Sequence, residues 1–228
     1  MIILKKYLSI IICIIFLIII VLYGLFLFST DNIKYEDNNK DIVYDISEYS
    51  SNNQNLAYVN LVGEDIKLIN DNIKLFVEDY YGLDNVYIGY DYNKTGSILS
   101  LLITIIDKNT NTTPVILFTS YFINLKNNTI VSDIDILKMN GYKSNKLKNT
   151  INSTFNDFYK NSDINKYCDI NCFNSGLSTY YDYDKDVSLY MVNNELRGYI
   201  SIHENIEYIL YSYLEDKDFY IKVGDVDV

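Results

Sequence analysis

Histidine occurs once, proline once and tryptophan not at all among 228 residues. A single histidine excludes zinc chemistry that draws several imidazoles from one helix, as in a His-Glu-x-x-His site. The nine glycines form neither a Gly-x-Gly-x-x-Gly turn nor a phosphate loop, and no serine stands in a Gly-x-Ser-x-Gly elbow. No cofactor is implied, and the chain reads as a protein other than an enzyme. Cysteine is scarce too: Cys13, Cys168 and Cys172. The last two lie four apart in Tyr-Cys-Asp-Ile-Asn-Cys-Phe, and a zinc site there would need ligands the chain barely offers. A local disulfide between Cys168 and Cys172 is the preferred reading, although a helix or straight strand would orient the two α-carbons poorly for bridging.

What is abundant begins near the N-terminus. From Tyr7 to Phe28 the chain carries no charge and is dominated by Ile, Leu, Phe and Val. At 1.5 Å rise per residue such a run covers roughly 32 Å, against a hydrocarbon core of about 30 Å, so residues 7–28 read as one transmembrane helix. A cleaved signal peptide would have a shorter apolar region and a small-x-small site, and Gly24 to Ser29 offers none. No cysteine follows the run to carry a lipid. Lys5 and Lys6 precede it while Asp31, Glu36 and Asp37 follow, which keeps residues 1–6 in the cytoplasm and the rest outside. The localisation expected is the cell membrane, single-pass, with an extracellular C-terminal domain.

The chain has 19 Lys and Arg against 30 Asp and Glu, and Lys5 and Lys6 are the only charges in the first thirty residues. The remainder therefore holds 17 basic and 30 acidic residues, a formal charge of −13. Such a surface repels nucleic acid and attracts cationic partners. The 24 tyrosines, beside many Asn, Ile and Lys, match the bias of AT-rich coding and are read as background and core rather than as a stacking platform.

Residues 31–55 read as a polar, acidic tether with one short alternation at Ile42 to Ile46 that suits an edge strand. Residues 56–228 are the size of one domain. Leu56 to Val62 reads as a strand, and Asp65 as the N-cap of a helix with Ile66, Ile69, Ile73, Phe76, Val77 and Tyr80 on one face. Strands follow at Val86 to Tyr90, Ile98 to Asp107 and Val115 to Leu125, the last two joined by a polar turn as a long hairpin. A second amphipathic helix carries Leu147, Ile151, Phe155, Phe158 and Tyr159. Leu177 to Tyr181, Val187 to Val192, Leu196 to Ile202 and Phe219 to Val223 read as strands. The fold class is α+β: an antiparallel sheet with two amphipathic helices packed on it.

His203 and Glu204, at a strand end, are the weak candidates for a site, with a hydrogen-bonded structural histidine as the plainer reading. Asp182, Asp184 and Asp186 alternate beside a turn, which suits a solvated strand face better than a calcium site. Three patterns carry a family resemblance: Leu61-Val62-Gly63-Glu64-Asp65-Ile66-Lys67-Leu68-Ile69-Asn70-Asp71-Asn72-Ile73, Ser120-Tyr121-Phe122-Ile123-Asn124-Leu125-Lys126-Asn127, and Tyr199-Ile200-Ser201-Ile202-His203-Glu204. They resemble the opening strand and helix, a strand-to-turn segment and an aromatic strand of an extracytoplasmic domain of unknown function. That domain occurs in Gram-positive bacteria, in lysozyme-sensing anti-sigma factors and beside peptidoglycan or polysaccharide deacetylase domains. The middle hairpin departs from the family, because Lys108 to Pro114 replaces its Gly-Gly-Ala-His stretch. The anchor, the acidic charge and the resemblance together point to a membrane-anchored binding or sensing module at the cell envelope, with a cationic protein or peptide such as a lysozyme-like protein as the expected partner. A cell-envelope hydrolase or deacetylase, and a structural subunit of a membrane assembly, are the alternatives.

Overall fold

A computed structural model describes residues 42–46, 53–110, 113–203 and 208–226. The expected cytoplasmic tail and span, and most of the expected tether, lie outside them. Among the described residues no helix is long and apolar enough to cross a membrane. The architecture is α+β, with nine strands in three antiparallel sheets and six helices among the described residues.

Three long strands make the centre. After two short strands, β1 (Val43–Asp45) and β2 (Ala57–Val59), β3 (Val86–Thr95), β4 (Ile98–Asp107) and β5 (Val115–Asn124) form a meander closed by a short β6 (Thr129–Val131), in the order β3-β4-β5-β6. Thr95 pairs with Ile98 across a two-residue turn in which Gly96 takes φ 57°. A left-handed residue there matches the twist of the strands it joins. β3 runs five residues past Tyr90, where it was expected to end, because residues 91–95 pair with 98–102 although their side chains are polar.

β4 reads as a nearly continuous apolar run, and the reason is burial on both faces. Leu99, Leu101, Ile103 and Ile105 face a first core shared with Ile66, Ile69 and Ile73 of α1 (Glu64–Val77). Ile98 and Leu102 face a second. The first core also holds β1 (Val43–Asp45) and β2 (Ala57–Val59), an antiparallel pair, with Val43 and Gln54 buried. The folded unit thus takes in residues ahead of Leu56, where the tether was expected to run. Asp65 does not cap α1. Gly63 occupies that position without a side-chain bond, and the Asp65 carboxylate instead accepts from Ile130 N at 2.9 Å, fastening the helix start to β6.

The second core lies between the four-stranded sheet and a sheet of β7 (Val187–Val192), β8 (Glu195–Ile200) and β9 (Tyr220–Asp225). Buried hydroxyls join the two: Met191 N donates to Ser100 Oγ at 3.0 Å, Phe118 N to Ser201 Oγ at 2.9 Å, and Ser188 Oγ to the Phe118 carbonyl at 3.0 Å. Each satisfies a backbone group that burial would otherwise leave unpaired, at a cost of about 1–3 kcal/mol. The expected single sheet is therefore two larger sheets face to face plus the small β1-β2 pair. Periodicity within one strand carries no information about which strands share a sheet.

The remaining helices are α2 (Asp133–Met139), α3 (Lys146–Asn161), α4 (Ile170–Tyr180), the single turn α5 (Tyr183–Asp186) and α6 (Tyr208–Glu215). α3 buries Leu147, Ile151 and Phe155, four residues apart on one stripe, in the second core. Gly198 admits the helix: a Cβ there would stand 2.7 Å from Leu147 Cδ1. Residues 177–180, expected as part of a strand, are the last turn of α4. Asp169 starts that helix, its carboxylate accepting from Asn171 N and Cys172 N at 3.0 and 2.9 Å. α6 was not anticipated, because its Tyr-Ile-Leu-Tyr-Ser-Tyr-Leu run fits strand and helix alike.

Candidate functional site

The alternating acids sit in a helical turn rather than on a strand face. Asp182 caps α5, accepting from Asp184 N at 3.1 Å, and pairs with Lys185 at 3.0 Å. Its carboxyl is held below the ordinary carboxylate range, chiefly by the Lys185 ammonium and then by that backbone amide. Asp186 is buried, one turn on. One of its oxygens accepts from Asp182 N at 2.6 Å, the other meets His203 Nε2 at 2.8 Å, and its carbonyl accepts from Ser201 N at 2.7 Å. One carboxylate oxygen thus closes the α5 turn on its own N-cap, while the other and the backbone carbonyl hold the turn to the segment that ends at His203.

His203 is the outer member of that pair, its side chain 54% exposed. Asp186 is the one side chain bonded to it among the described residues, so the histidine has an orienting acid and no hydrogen-bonded nucleophile among them. Glu204 lies outside the described residues. No group of three or more His, Cys, Asp or Glu side chains capable of holding a metal occurs among the described residues. Cys168 and Cys172 are joined by a disulfide, with α-carbons 5.5 Å apart. The orientation problem is avoided because Cys168 precedes the helix and Cys172 lies in its first turn, with Asp169 turning the chain between them.

A polar cleft of about 580 Å³ opens beside α5. Lys148, Asn152 and Asn156 reach it from successive turns of α3, and Asn174, Leu177 and Tyr181 from α4 and its end. Tyr183 completes the wall beneath the Lys148 ammonium, 5.0 Å from the ring centroid. Tyr181 meets Phe155 edge to face at 5.5 Å, and its hydroxyl is buried with no hydrogen-bond partner among the described residues. Burial first, then the neighbouring Tyr183 and Asp186, raise the pKa of that hydroxyl, so it stays protonated and able to donate. Neither His203 nor Asp186 lines this cleft.

The opposite type of surface runs along α1. Its inner face fills the first core, yet Leu68 and Leu75, one heptad apart, are 51% and 67% exposed. Glu64, Asp71, Glu78 and Asp79 stand exposed along the same helix and its continuation, against Lys67 and Lys74. Leu75, Asp71 and Glu78 line a groove of about 540 Å³ with Tyr81. An acidic ridge with apolar side chains set into it was not singled out from the sequence. The signal was there, in two leucines at the helical positions opposite the isoleucine stripe.

No protein-family model matches the chain, and no curated protein matches it.

Proposed function

We propose that this chain is a single-pass membrane protein whose α+β unit stands outside the cytoplasm as a non-catalytic binding or sensing module for a cationic protein or peptide. The observation that carries the reading is the outer ridge of α1, where Leu68 and Leu75 are exposed between Asp71, Glu78 and Asp79. Apolar side chains supply contact area, and the surrounding carboxylates steer and orient a basic partner. The charge of −13 beyond residue 30 and the resemblance to a domain of lysozyme-sensing proteins favour the same partner class.

The test is binding of lysozyme-like proteins and basic peptides to the full-length chain at increasing salt. Steered association weakens markedly between low salt and about 0.5 M, because the screening length is only about 10 Å at 0.1 M and shorter above it. The expected result is saturable, salt-sensitive binding, slowed in its on-rate by Asp71→Lys with Glu78→Lys. Absence of binding at low salt, or an affinity indifferent to salt, would remove the proposal. Turnover of muropeptides that is abolished in His203→Gln would replace it with the hydrolase or deacetylase reading.

A further inference from the structure

The cleft beside α5 is chemically unlike the α1 ridge. Its charges offset one another: Asp182 is bridged by Lys185, and Asp184 shares the rim with Lys148. A charged ligand of either sign would therefore meet both attraction and repulsion within a few ångströms. What the cleft has in surplus is neutral hydrogen-bonding capacity. The side-chain amides of Asn152, Asn156 and Asn174 make no hydrogen bond to another described residue, and each offers two donors and an acceptor. The spacing of Asn152 and Asn156, one turn apart on α3, sets them in a row along the wall.

The aromatic groups fit the same kind of ligand. Tyr181 and Tyr183 line the cleft with Phe155 behind them, giving apolar ring surface next to the amides. The Tyr181 hydroxyl is enclosed by protein, so what Tyr181 offers to the cleft is its ring. Alternating ring faces and uncharged donors and acceptors complement a molecule with apolar C–H faces and many hydroxyls. The volume of about 580 Å³ falls within the range of about 300–1,000 Å³ common for small-ligand sites.

We propose that this cleft binds a short, uncharged saccharide, held by the amides of Asn152, Asn156 and Asn174 and packed against Tyr183 and Tyr181. The site is separate from the α1 ridge and does not depend on the partner assigned to it. The experiment uses the full-length chain in a non-glycosidic detergent, isotopically labelled so that side-chain amide resonances are observed. Neutral gluco-, manno- and N-acetylated chito-oligosaccharides are titrated in turn, followed by a basic hexapeptide.

The expected result is saturable movement of the Asn152, Asn156 or Asn174 side-chain signals with at least one oligosaccharide and none with the hexapeptide. Losing two amides weakens that binding by about tenfold or more in the Asn152→Ala, Asn156→Ala double variant. Both positions lie on a solvent-facing part of α3, where alanine is the better helix former, and an unchanged thermal melt confirms that the variant is folded. If that variant fails to fold, Asn174→Ala alone supplies the same comparison. No saturable shift with any of the saccharides up to about 10 mM, equal shifts in the variants, or shifts produced by the hexapeptide instead would each overturn the proposal. A positive saccharide result with no cationic partner found would leave this inference standing and remove only the function proposed for the α1 ridge.

Discussion

Replacing Asn70 with leucine is expected to destabilise the folded unit far more than any other asparagine substitution on α1. Asn70 lies on the buried face of the helix, opposite the free edge of β2. Val59, like Ala57, turns its N–H and C=O away from β1, because the hydrogen-bonded positions across that pair are its neighbours on either side. The Asn70 side chain takes both groups: Oδ1 accepts from Val59 N at 2.9 Å and Nδ2 donates to Val59 O at 3.0 Å. One amide side chain thus stands in for the next strand of the sheet. Leucine has similar volume but leaves a buried N–H and a buried C=O unpaired, each at about 1–3 kcal/mol. Extra apolar contact returns roughly 1 kcal/mol, so a net loss of about 1–5 kcal/mol, centred near 3, is expected.

With a loss of about 3 kcal/mol and a urea slope of about 2 kcal/mol/M for a small domain, the unfolding midpoint falls by about 1.5 M. Asn72→Leu, on the same helix and half-buried, serves as the control and should stay within about 0.5 kcal/mol. Asn70→Asp keeps the acceptor but sets an oxygen against the Val59 carbonyl. Its defect should shrink below about pH 4, where a protonated carboxyl can both donate and accept. A midpoint for Asn70→Leu no lower than that of Asn72→Leu would refute the strand-surrogate argument.

Alkylation without reductant should leave Cys168 and Cys172 unmodified and label them after reduction, and full labelling before reduction would exclude the bond described here. Burial pushes the Asp133 carboxyl up to about 6, so the folded state binds its proton more tightly than the unfolded state. Stability owed to this group is then present below about pH 4 and is lost as pH rises towards and through 6. Asp133→Asn should flatten that slope in denaturation curves collected from pH 4 to 7, and an unchanged slope would show that another group is responsible. Protease added to intact cells should digest the region beyond residue 30, while mature protein in the medium beginning near Ser29 would refute the anchor.

The hairpin of β4 and β5 was legible in the sequence because both strands are long, apolar and separated by a polar, proline-containing turn, and the stripe of Ile66, Ile69 and Ile73 marked α1 for the same local reason. The charge balance, the apolar run of residues 7–28 and the scarcity of histidine are likewise properties of composition and need no fold. Other features depended on where distant segments came to lie. The run from Leu177 to Tyr181 was compatible with a strand until Asp169 and the disulfide fixed the start of α4. Asp182, Asp184 and Asp186 looked equivalent, yet docking of α5 against the end of the 195–202 segment exposed the first two and buried the third against His203. Asparagine was discounted as compositional background, and only the tertiary arrangement separates Asn70, opposite the bare edge of β2, from Asn152 and Asn156, which face a cleft. An amide side chain carries no local signature of its surroundings: the groups that Asn70 satisfies lie 11 residues away, and the cleft that Asn152 and Asn156 face is completed by residues of another helix.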